Sequence, residues 1–493
     1  MGLGPLRGKT FHPPRRGTCL ISTMCGIFGV IWRQSDRVPE QDRLERTARL
    51  LRHRGPDATG VFADQGVGLV HTRLSLLDLS ERSNQPLWDK QRRFALLYNG
   101  EIYNFQQLRL QLEAEGVEFC TTSDTEVLLE ALLKWGAEKT LPKLEGMFAF
   151  GLYDRTLGSL LLARDRFGIK PLFIYQTEDT FLFASEIQAM RPWINLEPDF
   201  PSISSFLYGF SGPTKGFSFF RHVKSVEPGA MVTIEKASTP KYSRFFSLPD
   251  FVDPDEMDRL EGLSQHEVVN EVDRLLNESV KSQLIADAPV GALCSGGLDS
   301  SIIMSIAAQY HNNLAIFHAN VVGPISEYPA ALRLAQHLKL DLKAIEVHDD
   351  DFITEIPEVT ERFGHPFYSC PHSLPLMMVC RLVQQAGVKA VLSGEGSDEC
   401  FLGYAFCAPN IREYAGVRPL LRFIKRWFRD PSGSNGLQYL GPSYVQGGEP
   451  DGAEGLVHAL HNRFEVVRDT VEMRDRLGDS LPANRSKASL QSL

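Results

Sequence analysis

Ser295-Gly296-Gly297-Leu298-Asp299-Ser300-Ser301 is the stretch from which the second half of this chain is read. It follows a short apolar run, Ala288 to Cys294, and leads into the helix-like Ile302 to Tyr310. Two glycines between a strand and a helix let successive backbone N–H groups point into one concavity. The helix N-terminus adds partial positive charge, so the loop can hold a phosphate or pyrophosphate. The serines add hydroxyl donors, and Asp299 offers an oxygen ligand for Mg²⁺. The Lys-Ser/Thr ending of a Walker loop is missing. A Gly-Gly pair alone marks only a turn; three serines and an aspartate at a strand-to-helix junction point to nucleotide chemistry.

Outward from this loop the chain runs to 493 residues, which is too long for one ordinary domain. Its hydrophobic content of 43% and charged content of 23% are those of a globular protein. A formal net charge of -9 argues against general nucleic-acid binding. No apolar run reaches transmembrane length. Eight cysteines without paired spacing read as reduced thiols in a cytoplasmic protein. Residues 1–23 combine Gly, Pro and basic residues with no acidic one, which reads as an unstructured leader or a misassigned start.

From Met24 the character changes. Cys25 to Trp32 is strand-like, and helical periodicity follows in Gln41 to Leu51, Phe105 to Glu115 and Thr125 to Trp135. Between and after these lie short strand candidates: Gly68 to His71, Phe94 to Tyr98, Phe148 to Tyr153, Leu160 to Ala163, Leu172 to Tyr175 and Phe181 to Ala184. Many short strands with few helices suggest sheets packed between helices. A cysteine beside a strand is more often a small buried hydrophobe than a nucleophile. Met24 changes that reading. Initiation at Met24 and removal of the Met would free the Cys25 α-amine, whose pKa of roughly 8 suits it to take the thiol proton.

Met24-Cys25-Gly26-Ile27-Phe28-Gly29 resembles the start of the class II glutamine amidotransferases. Arg52-His53-Arg54-Gly55-Pro56-Asp57, Arg73-Leu74-Ser75-Leu76-Leu77-Asp78, Asn99-Gly100-Glu101-Ile102-Tyr103-Asn104 and Ser123-Asp124 then follow in family order. With the Ser295 loop, they resemble the glutamine-hydrolysing asparagine synthetase family, over Met24 to about Tyr404. The resemblance implies an α+β N-terminal-nucleophile sandwich (αββα) over 24–246. A linker (247–263) and an α/β parallel-sheet ATP-pyrophosphatase domain (264–430) follow. It implies Cys25 as nucleophile and Asn99 with Gly100 as the oxyanion hole. Arg73, Leu74, Ser75, Leu76, Leu77, Glu101 and Asp124 would form the glutamine pocket, with Arg73 on the α-carboxylate and Asp124 on the α-ammonium. Arg164 to Leu172 and Ala184 to Ile187 also match, and read as structural.

In the second half, Ser264-Gln265-His266-Glu267 reads as a capped helix start. Alternating elements follow: strand Leu314 to His318, helix Tyr328 to Leu338, and strands Leu342 to Val347 and Ala390 to Leu392. Alternation implies a parallel sheet with ligands at the carboxyl ends of its strands. The loop Ser393-Gly394-Glu395-Gly396-Ser397-Asp398-Glu399 matches a second family motif. ATP would meet Cys294, Ser295, Gly296, Gly297, Asp299, Ser300, Ser393 and Gly394. Mg²⁺ would sit on Asp299 and Asp398, and Glu395 would take a proton from attacking ammonia. The implied partners are glutamine, aspartate and ATP, with no nucleic acid and no membrane; the family also implies a homodimer.

Three departures qualify the resemblance. Cys25 is not at the encoded N-terminus, and Cys294 stands where the family usually has Leu. Beyond Tyr404 the family's Arg-x-Pro-Phe-Leu-Asp segment is not found, and 431–493 reads as an atypical, disordered or truncated tail. The region Glu346 to Ser373, which should shape the acceptor pocket, also matches loosely. Two alternatives therefore stand beside a synthetase. One is a glutaminase whose second half is impaired or takes another carboxylate; the other is a non-catalytic sensor of glutamine or nucleotide.

Overall fold

The computed structural model describes residues 24–401 and 403, apart from 33–36, 208–215, 236–238, 252, 312, 325 and 365–372. The leader, the stretch from 404 onward and much of the 346–373 region thus lie wholly or partly outside the described residues. Two compact units emerge. One comprises the residues up to Glu197 with Phe220–Ser393; the other comprises Pro198–Phe219 with the residues from Gly394 onward.

In the first unit the strands run β1 (Gly26–Trp32), β2 (Ala58–Asp64), β3 (Val67–Arg73), β4 (Leu87–Trp88), β5 (Phe94–Ile102), β6 (Gly146–Asp154), β7 (Ser159–Arg164) and β8 (Phe173–Gln176). They continue with β9 (Thr180–Ala184), β10 (Val223–Ser225), β11 (Ala230–Ile234), β12 (Lys241–Arg244), β13 (Val290–Leu293), β14 (Ala315–Val321), β15 (Leu342–Val347) and β16 (Ala390–Leu392). The first twelve form two six-stranded sheets, ordered β10-β8-β9-β1-β3-β2 and β12-β11-β7-β6-β5-β4.

Alternation along each strand sorts the side chains into layers. Ile27, Ile31, Leu69, Ala95, Leu97 and Leu162 fill the space between the sheets. Phe28, Val30 and Trp32 face outward onto the Gln41–Leu51 helix through Leu44, Ala48 and Leu51. Leu96, Tyr98, Phe148 and Phe150 face outward onto the Phe105–Ala114 and Asp124–Trp135 helices. The result is the αββα sandwich expected from the sequence. The three helices and the expected strand centres fall where periodicity put them; strand ends differ by up to four residues, and β2, β4, β10, β11 and β12 were not foreseen.

The remaining strands form one parallel sheet ordered β15-β14-β13-β16. Ala292 and Ile316 pack against the Leu298–Tyr310 and Tyr328–Leu338 helices on one face. Phe317, Ile345 and Val347 pack against the Ser373–Gln385 helix on the other. Ser264 caps the Gln265–Gln283 helix with a full capping box. The 247–263 stretch is not bare linker. It holds a Pro254–Glu261 helix, whose first turn is capped by the Asp253 carboxylate and opened by Pro254.

Candidate active site

The thiol of Cys25 sits at the head of β1, 8% exposed. Leu74 N–H donates to its Sγ at 3.4 Å, and the thiol faces Leu74 O at 3.7 Å. Burial pushes the thiol up to about 11, against the Leu74 contact and the charges of Arg73 and Arg54. A thiol this protonated is a poor nucleophile without a base beside it. Arg54 Nε donates to Cys25 O at 3.0 Å, and its Nη1 reaches Glu186 Oε1 at 2.8 Å. His53 Nε2 lies 2.9 Å from the same carboxylate oxygen. Met24 lies at φ 95, a backbone conformation rare for a residue with a side chain.

Across the inter-sheet space, Asn99 and Glu101 share the inward face of β5 with Leu97. Both belong to a continuous strand paired with β6 (Asn99↔Ala149), so Asn99-Gly100 is not a hairpin turn. The Asn99 side chain is fully buried, and neither Oδ1 nor Nδ2 has a partner. An orphaned buried amide costs about 1–3 kcal/mol, so it marks a place prepared for a ligand. Gly100 is required by close approach: a Cβ there would lie 2.2 Å from Met147 O.

Asp124 starts its helix behind the Ser123 cap. Its Oδ2 accepts from the Tyr98 hydroxyl at 2.8 Å and from Ile102 N–H at 3.1 Å. Burial raises the pKa of Asp124, with these hydrogen bonds opposing. Burial also raises Glu101, and the Asp124 charge adds to the shift, while Lys170 opposes it. Burial lowers Lys170 in turn. Met24, Cys25, Arg73, Leu74, Leu76, Leu77, Gly100, Glu101 and Asp124 line one cavity of about 30 Å³.

Arg73 is placed differently from a waiting clamp. Its Nη1 donates to Ser80 O at 2.7 Å and Asn84 Oδ1 at 3.0 Å, and its Nη2 donates to the carbonyls of Leu77 and Asp78. In this state the guanidinium orders the 77–84 loop. Ser75 N–H is held by Asp57 Oδ2 at 2.8 Å, and the same oxygen lies 2.5 Å from Lys389 Nζ, just before β16. Leu76 O accepts from Asp287 N and Ala288 N, and Asp78 N–H donates to Asp287 Oδ2 at 2.7 Å, just before β13. Cys25, Leu74, Leu76 and Ala288 form one apolar cluster, with Met24 and Ala390 against it. The 74–78 loop is therefore tied to the segments that enter β13 and β16.

At the other end of β13, Ser295 to Ser301 forms the strand-to-helix turn. Ser295 and Ser300 hydroxyls lie 2.9 Å apart, Ser295 Oγ accepts from Gly297 N–H at 3.2 Å, and Ser301 Oγ donates to Gly297 O at 2.6 Å. Gly297 is the N-cap and brings no side chain, so the first helical N–H groups stay directed at the loop. Gly296 has φ +88, and a Cβ there would lie 2.9 Å from Ala331 N. Asp299 is part-exposed in the first turn. The Cys294 side chain is buried in the helix-facing core, and its sulfur also meets the Gly296 N–H of the loop. Ser393 follows β16 directly. Glu395 and Asp398 belong to the second unit, where Asp398 opens the short Ser397–Phe401 helix and its carbonyl accepts from Gly403 N–H at 3.0 Å.

Three lining residues, Gln85, Tyr98 and Thr125, were not singled out by sequence reasoning, nor were Arg54, Glu186 and Lys170, which act on the pocket from behind its wall. Arg54 and Glu186 lie in stretches read as family motif or structure only, and Tyr98 looked like core. Lys170 is 8% exposed and sits in an apolar turn, Gly168-Ile169-Lys170-Pro171-Leu172. A lone charge in such a turn was the available signal. Arg164 and Asp165 are structural as expected. Arg164 donates to Lys170 O and Gly168 O, and Asp165 accepts from Phe148, Phe167, Ile169 and Lys170 N–H groups. Among the described residues no group of three His, Cys, Asp or Glu could hold a metal by itself, and no helix is long and apolar enough to cross a membrane.

Comparison with known proteins agrees on both halves. Residues 24–246 match the glutamine amidotransferase domain and residues 271–441 match asparagine synthase. Asparagine synthetase [glutamine-hydrolyzing] 1 of Bacillus subtilis (strain 168) is 34% identical over 404 residues, covering 81% of this chain and 61% of the relative. Asparagine synthetase B [glutamine-hydrolyzing] of Escherichia coli (strain K12) is 34% identical over 407 residues, covering 79% of this chain and 67% of the relative. The chain therefore spans roughly two thirds of the length of the curated relatives it matches.

Proposed function

We propose, from the premise that this chain belongs to the glutamine-hydrolysing asparagine synthetase family, that it makes asparagine from aspartate, glutamine and ATP. The observation that carries this reading is the Cys25 pocket: a buried thiol at a strand head, the buried Asp124 and part-buried Glu101 carboxylates, and the orphaned Asn99 amide on the same strand as Glu101. Removal of everything through Met24 would free the Cys25 amine as base, and the strained Met24 at the pocket wall supports that step. The α-ammonium of glutamine would bind Asp124 and Glu101. Its α-carboxylate would replace the Leu77 and Asp78 carbonyls on Arg73.

Cys25 Sγ then adds to the side-chain amide carbon. Asn99 Nδ2 and Gly100 N–H hold the developing oxyanion, and ammonia leaves with the proton first taken from the thiol. Water hydrolyses the thioester to glutamate. The apolar cluster from Leu74 and Leu76 to Ala288 and Ala390 supports passage of neutral ammonia towards the second half.

There the Ser295–Ser300 turn and the N-terminus of the Leu298–Tyr310 helix would hold the ATP phosphates. The donor set suits a cation that arrives with the nucleotide, because Mg²⁺ takes one or two carboxylates plus phosphate oxygens, and Asp299 stands part-exposed at the loop. Held by Asp299 with the phosphate oxygens, it would neutralise phosphate charge. The aspartate side-chain carboxylate attacks the α-phosphorus and releases pyrophosphate. Ammonia attacks the resulting acyl-adenylate, loses a proton to a general base, and AMP leaves. The cysteines described are all free thiols, which supports a cytoplasmic setting. The test is stoichiometry with glutamine, aspartate and Mg-ATP. One asparagine per pyrophosphate is expected; glutamate without pyrophosphate would favour a glutaminase alone.

A further inference from the structure

The first sheet carries a second cavity on its outer face, opposite the face that Cys25 shares with Ile27. Its volume is about 520 Å³, inside the roughly 300–1,000 Å³ of small-molecule sites. Val30 and Trp32 form its floor, and both point to the helix side of β1. Trp32 lies seven residues beyond Cys25 on an extended strand, roughly 23 Å away at about 3.3 Å per residue. The cavity is thus separate from the glutamine pocket, and nothing in the proposed reaction uses it.

Its walls combine flat aromatic faces with cations. Trp193 is fixed by stacking on Phe28 at 5.6 Å and by donating Nε1–H to Thr47 Oγ1 at 2.8 Å. Tyr175 meets the edge of His222 at 6.3 Å. His222 itself is held at φ 62, a left-handed conformation whose cost the surrounding fold must offset. The Arg37 guanidinium already lies 4.7 Å over the Trp32 ring, so this wall stacks planar groups. Arg43 and Arg221 bring further positive charge. Arg43 pairs with Glu40 at 3.1 Å and Arg221 with Glu197 at 3.9 Å, all four well exposed. Exposed pairs of this kind contribute about 0–1 kcal/mol, so an incoming phosphate can displace the carboxylates. A preformed aromatic wall beside exchangeable arginines matches a ligand that is flat at one end and dianionic at the other.

We propose that this cavity binds a nucleoside monophosphate, with the base against Trp193 and Tyr175 and the phosphate on Arg43 and Arg221. The site is independent of the glutamine and ATP sites and does not rest on the synthetase reading.

Inosine monophosphate is the probe, titrated into the full chain while tryptophan fluorescence is followed. Trp32 and Trp193 are two of five tryptophans, so saturable quenching is expected. Inosine alone and inorganic phosphate alone should each bind at least about tenfold more weakly, since each lacks one half of the recognition. The Arg43→Ala/Arg221→Ala double variant should weaken inosine monophosphate by about tenfold or more. Both side chains are exposed and far from Cys25, so glutamine hydrolysis should be unchanged and report an intact fold. Trp193→Phe should reduce the quench while calorimetry still detects binding. No saturable response, or an affinity that the double variant leaves untouched, overturns the proposal. Binding of phosphate alone as tightly as the nucleotide overturns it too, and would leave only an anion site.

Discussion

The pocket at the head of β1 and the loop at the end of β13 are built from the same kind of residue by opposite means. Around Cys25, Asn99, Asp124 and Glu101 are buried or nearly so, and burial is the largest cause of the shifts in Cys25, Asp124, Glu101 and Lys170. The Ser295–Ser301 loop is half open, and its polar groups bond to one another and to its own backbone. Covalent attack on an amide needs groups whose protonation is set before the substrate arrives, and dehydration sets it. A phosphate chain needs mainly N–H groups aimed at one point, and a glycine turn on a helix end supplies them without burial. Antiparallel sheets flank the first site; the carboxyl end of an inner strand of a parallel sheet displays the second.

Four substitutions break or sharpen this contrast. Cys25→Ala should remove glutamine-driven product by a factor on the order of 10⁴, while added ammonia still supports ATP-dependent synthesis. Equal loss of both activities would mean the two sites are one. Asn99→Ala should lower the kcat of glutamine hydrolysis by about 10²–10³, with little change in KM. A change confined to KM would place Asn99 in ground-state binding instead.

Gly296→Ala tests the open site. At φ +88 and 2.9 Å from Ala331 N, the added Cβ should cost about 1–3 kcal/mol. Pyrophosphate release should fall while glutamine hydrolysis is kept.

Glu101→Gln should have the smallest effect and the clearest pH signature. Glu101 is raised to about 7, so it is neutral below that value and anionic above it. A carboxyl raised on folding favours the folded state at acid pH and loses that contribution as pH rises through about 7. Bound ammonium should reverse the loss. Glutamine KM should therefore fall several-fold as pH rises through about 7, and the thermal shift produced by glutamine should grow over the same range. In Glu101→Gln both should be flat; an unchanged profile in the variant would assign the titration to another group.

Much of both sites was legible because short-range patterns set them. The Gln41–Leu51 periodicity, the Ser264 capping box and the Ser295 turn are local, and each appears where the residues put it. Asn99 and Gly100 were picked out by motif, and they lie in a strand, since pairing with β6 overrides the turn propensity of Asn-Gly. What stayed hidden was long-range. Arg54 reaches Glu186 across 132 residues, and Asp57 reaches Lys389 across 332. No window of sequence reports such pairs. The clamp role of the Arg73 guanidinium came from the family resemblance. The five-to-eleven-residue return of the 78–84 loop onto it is a tertiary event.

The central claim is that nitrogen freed at Cys25 is used at the Ser295 loop within the same chain. Amide-¹⁵N glutamine, aspartate and Mg-ATP, supplied with an excess of unlabelled ammonium, test it directly. The account predicts asparagine carrying ¹⁵N in its side-chain amide in proportion to pyrophosphate released. Unlabelled asparagine, or labelled ammonia in solution with no asparagine, would contradict it.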